Sequence, residues 1–134
     1  MIKQDLIERM SKELAKVIAE LLGFDTTQKI EYINEYFTSL GLDPMNILDT
    51  DPDDLMDELI EQDDLQLSQL ELIGNLIHQK AKVYYDQDFD AFGHNMMKKA
   101  IIILEYVDEE MGIYSMERRE LLDAMNRDVW DEED

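Results

Sequence analysis

Residues 100–104 read Ala-Ile-Ile-Ile-Leu, five apolar side chains in a row. At about 100° per residue such a run wraps the whole circumference of an α-helix, so a helix that carries it must be covered on every side. A buried strand is the other structure that tolerates it. The flanks favour the helix: Phe92, Met96 and Met97 before the run, and Val107 and Met111 after it, stand at helical spacing. A central helix from about Phe89 to Glu110 is predicted, and the rest of the chain must cover it.

The remaining periodicity is helical too. Ile7, Met10, Leu14, Val17 and Leu21, widened by Leu6, Ile18 and Leu22, predict a first helix over about residues 3–22, with Gly23 as a left-handed C-cap. Thr26 or Thr27 is expected to cap a second helix bearing Ile30, Ile33, Tyr36, Phe37 and Leu40, closed by Gly41. Asp43-Pro44 allows one short helical turn holding Met45, Ile47 and Leu48. Asp51-Pro52 reads as an N-cap followed by proline at the first helical position, ahead of an apolar side made by Leu55, Met56, Leu59 and Ile60. Leu70, Ile73, Leu76, Ile77, Ala81 and Tyr84 mark a helix over about residues 67–85, and Asp86-Gln87-Asp88 a polar turn. Beyond Gly112, Ser115 caps a last helix with Met116, Leu121, Leu122, Met125 and Val129 inward, and residues 131–134 form an acidic tail expected to fray. Short connections force antiparallel neighbours. The expected fold is all-α, a compact stack of antiparallel helical hairpins with five to six helices, in one domain over residues 1–134.

One stretch resembles a known repeat. Ile77, Ala81, Tyr84, Gly93, Met97 and Ala100 follow, without a gap, the spacing of a single tetratricopeptide unit over residues 77–101. The resemblance implies a tight helical hairpin, and the small residue Gly93 is expected to allow close approach beside Ala81. The opening Met1-Ile2-Lys3-Gln4-Asp5, the Leu40-Gly41-Leu42 turn and Lys99-Ala100 look like a family of short bacterial proteins of unassigned activity. That likeness implies a bacterial origin and transfers no functional residue.

Charge narrows the partners. Thirty-three acidic residues against twelve basic ones give a formal charge of −21. A field of that sign repels nucleic-acid phosphates and anionic lipid headgroups, so neither nucleic acid nor membrane is expected as a partner. The chain has no cysteine, and Asp5, Glu8, Arg9, Lys12, Glu13 and Lys16 interrupt its first apolar residues, as suits a cytoplasmic protein without a signal peptide.

Chemistry-bearing motifs are sparse. Asp49, Asp51 and Asp53 have the spacing that opens a calcium loop, but Asp54 and Ile60 stand where that loop needs glycine and glutamate. Asp86, Asp88 and Asp90 fail in the same way at Ala91 and Met97. Both read as solvated acidic turns, and no metal or cofactor is expected. His78, Lys82, His94 and Lys98 lie on the two arms of one hairpin and form a candidate polar pocket, against the plainer reading of structural histidines and lysines paired with nearby acids. Arg118, Arg119 and Arg127 are expected to pair with Glu117, Glu120, Asp123 and Asp128. Nine methionines read chiefly as core filler, and Trp130 as docked on the core.

No nucleophile motif or phosphate loop is present, which points away from an enzyme. The leading expectation is a protein-interaction module. Its candidate surface is Asp49, Asp51, Asp53, Asp54, Asp57, Glu58 and Glu61, within a stretch of nine acidic residues and no basic one over 49–64, and its partner a basic protein segment. A ligand binder or enzyme using the His78–His94 pocket, and a homodimer formed through the first helix, are the alternatives.

Overall fold

The computed structural model describes residues 14–61, 65–112 and 115–133, without the side chains of 130–133. Its described residues form helices α1 (14–22), α2 (Thr26–Ser39), α3 (Pro44–Asp49), α4 (Pro52–Glu61), α5 (Leu67–Asp86), α6 (Asp90–Met111) and α7 (Met116–Glu133), with no strand among them. The count reaches seven because residues 44–49, expected as a single turn, make a helix of their own.

The 100–104 run sits in α6, the longest of these helices. It is covered by α5 along one side and by α4 and α7 along others, while α2 packs on the far face of α5. Ala100, Ile101, Ile103 and Leu104 are buried, but Ile102 is only partly so. Coverage is therefore incomplete. Ile102 lines a cleft with Asp51, Pro52 and Asp53 at the start of α4 and Asn126 and Val129 of α7.

The α5–α6 hairpin is held close by a glycine that sequence reasoning missed. A Cβ on Gly74 would stand 2.8 Å from Leu104 Cγ, and Leu104 is wholly buried. At Gly93, where close approach beside Ala81 was expected, the nearest atoms are those of the Tyr85 ring, at 3.0–3.1 Å. The small residue admits an aromatic ring, not a neighbouring backbone.

Caps also differ in detail. Asp25, not Thr26 or Thr27, caps α2: its carboxylate accepts from Gln28 N at 2.9 Å, and Gln28 Oε1 accepts from Asp25 N at 3.1 Å. This reciprocal box satisfies two helix-end donors, which neither threonine hydroxyl could match alone. Gly23 is not left-handed; the positive-φ glycines are Gly41 and Gly112. With α2 starting so soon, the chain leaves α1 through tight bonds from Gly23 N to Glu20 O and Phe24 N to Leu21 O. Ser115 caps as expected, accepting from Arg118 N, and Asp43, for which no cap was predicted, accepts from Met45 N.

Val17 and Leu21 of α1 are buried in the same core as α5, α6 and α7. Leu22, Met45, Ile60 and Met116, all expected inward, are exposed, because each stands at the margin of its helix's apolar stripe or in its end turn. Residues 131–133, expected to fray, continue α7, whose preceding turns are anchored by buried Met125 and Val129. Residues 3–13 of the predicted first helix and the Trp130 side chain lie outside the described residues.

Candidate functional site

Two turns and a short helix build the acidic edge. The Asp43 side chain caps α3, and the backbone carbonyl of Asp51 starts α4 by accepting from Asp54 N and Leu55 N at 3.0 Å. Between and beyond them Asp49, Asp51, Asp53, Asp54, Asp57, Glu58 and Glu61 are all exposed. The structure thus brings the seven predicted surface carboxylates to solvent on one short segment. Glu58 has a local duty as well: its Oε2 accepts from Asn46 Nδ2 at 3.1 Å and so ties α4 to α3.

The segment's repulsion is relieved from inside. Lys99, fully buried on α6, donates from Nζ to the carbonyls of Ile47 at 2.7 Å and Leu48 at 2.9 Å. Those carbonyls end α3, where unpaired oxygens concentrate negative charge. Burial pulls the ammonium below the usual lysine range, and Asp49 and Asp51 act against that pull. Lys99 is thus an internal counter-charge for the acidic edge.

Beside this edge runs a cleft of about 450 Å³, lined by Asp51, Pro52, Asp53, Lys98, Ile101, Ile102, Asn126 and Val129. Its floor is apolar, where α6 is left uncovered, and one wall carries two carboxylates. No sequence signal marked it, because α4, α6 and α7 meet there from distant parts of the chain.

The four residues of the predicted pocket part company. His78 is buried, and desolvation, then the nearby Lys82 charge, lowers its imidazole from 6.5 to about 4. Lys82 lines a separate cavity with Tyr85, Asp86, Met97 and Asp128, whereas Lys98 lines the cleft. His94 is half-buried and lines neither. Among the described residues, no group of three or more histidine or carboxylate side chains is placed to hold a metal ion.

No family model matches this chain, and no curated protein or solved structure does either.

Three further basic residues tie helices together. Lys80 Nζ donates to Asn34 Oδ1 at 3.0 Å, joining α5 to α2. Buried Arg118 meets Asp108 at 2.8 Å and Glu71 at 3.3 Å, and Arg119 meets Asp108 at 3.1 Å. These partners come from α6 and α5, not from the acids of α7 itself, because the last helix lays its basic end across the other two. No helix among the described residues is long and apolar enough to cross a membrane.

Proposed function

We propose that this chain is a protein-interaction module that uses the 49–61 edge to engage a basic segment of another protein. The observation that carries the reading is the pairing of two surfaces: seven exposed carboxylates adjoin a cleft with an Ile101, Ile102 and Val129 floor. A segment with Lys or Arg beside an apolar side chain fits both. Charge would steer the encounter, and the apolar seat would lengthen the contact. Lys99, buried beneath the edge, is committed to backbone carbonyls, while Lys98 lines the cleft beside Asp51 and Asp53.

The alternatives gain no observation. His78 and His94 line neither the cleft nor the Lys82 cavity, and Val17 and Leu21 of α1 are buried in its own core. A fitting test is capture from the native cell at low and high salt, with the natural chain beside a variant carrying Asp53→Asn, Asp54→Asn and Asp57→Asn. The reading requires a basic protein retained at low salt, released at high salt, and lost by the variant. Equal capture by both chains would refute it.

A further inference from the structure

The tip of the α5–α6 hairpin, far along the chain from the acidic edge, carries an unexplained feature. Phe89 and Phe92 are each 52% exposed. Their rings meet edge to face at 6.4 Å, and Phe92 also lies 5.8 Å from half-buried Tyr84. Clamping the turn needs only the inner faces of these rings, and the turn is already closed by backbone bonds from Phe89 N to Tyr84 O at 2.8 Å and Asp88 N to Tyr85 O at 3.1 Å. The outer faces are left over. Asp86, Asp88 and Asp90 on the same turn are all exposed; Lys82 shares a cavity with Asp86, and residues 83–97 contain no lysine or arginine. Asp88 is held in the left-handed region at φ 64°, a conformation uncommon outside glycine.

We propose that this tip is a second docking surface, and that its occupant is an arginine side chain of a partner protein. Charge complementarity selects the occupant. A second copy of this chain would set three carboxylates against three more, in a protein already at −21. An apolar partner would desolvate the same carboxylates without pairing them. A guanidinium satisfies both features, since its flat face stacks on an aromatic ring while its edge donates to a carboxylate. Lysine offers a compact charge without the planar fork and is expected to bind less well. The inference does not depend on the function proposed for residues 49–61.

The test is an NMR titration of the whole chain with acetyl-Arg-Arg-Arg-amide and, separately, acetyl-Lys-Lys-Lys-amide at matched ionic strength. The expected result is saturable shifts of the Phe89 and Phe92 ring protons, at several-fold lower concentration for the arginine peptide. Phe92→Ala, at an exposed position whose fold is checked by circular dichroism, should weaken the tip response several-fold and leave any response at residues 49–61 unchanged. Should the variant fail to fold, Asp90→Asn replaces it with the same expectation. Ring protons that stay unmoved, equal response to both peptides, or a tip response untouched by the variant would each overturn the proposal. So would tip resonances that shift with the protein's own concentration, which would assign the patch to self-contact. A response at the tip with none at 49–61 would leave this inference standing while counting against the other.

Discussion

Replacing Lys99 with methionine would keep most of its volume but strip two helix-end carbonyls of their donor. Hydrogen bonds from a charged donor are worth about 1.5–3 kcal/mol, and a buried acceptor left unpaired costs a similar amount. Lys99→Met is therefore expected to lower stability by about 2–3 kcal/mol in urea denaturation, with α3 and the 49–51 turn loosening first by hydrogen exchange. His78 tells a different story at the same scale. In the unfolded chain its imidazole protonates near 6.5, whereas in the fold it stays neutral until about pH 4. Between those values the unfolded chain holds more protons, so this contribution is complete above 6.5 and is lost as pH falls toward 4. The loss approaches about 3 kcal/mol at the acid end. Urea melts across this window should show a shallower pH slope for His78→Leu than for the natural chain; identical slopes would show that His78 is accessible to protons in the fold.

At the scale of elements, the α5–α6 pair shows how two glycines in one hairpin differ. Gly74 faces Leu104, a wholly buried side chain at 2.8 Å, whereas Gly93 faces the ring of half-buried Tyr85 at 3.0 Å, a looser fit. Alanine gains about 1 kcal/mol over glycine within a helix, and overpacking a tight core costs about 1–3 kcal/mol. Gly74→Ala should therefore be destabilising by about 1–2 kcal/mol in chemical denaturation, and Gly93→Ala close to neutral. Gly93 was legible in the sequence through its place in a repeat-like spacing. Gly74 was not, because a glycine inside an apolar helical stripe announces nothing until the facing helix is known.

For the molecule as a whole, a charge of −21 on 134 residues means that the compact state works against its own field. Three embedded cations, Lys80, Lys99 and Arg118, relieve it locally at helix junctions, while the carboxylates of α4 stand exposed to solvent. Monovalent salt screens the long-range part of this repulsion. The thermal midpoint is expected to rise as sodium chloride is added from low to high concentration, and a flat or falling midpoint would mean that paired charges, not the net field, dominate.

Periodicity determined the helices, because a 3.6-residue stripe has few other ways to hide from water. It also placed the acidic edge, since seven carboxylates so close together have nowhere to go but outward. Tertiary structure decided what lay between elements: that Ile102 floors a cleft, that Lys82 and Lys98 line different cavities, and that Lys99 turns inward to cap α3. Each of those depends on which helix lies opposite, and contacts across long stretches of chain leave no mark in local spacing.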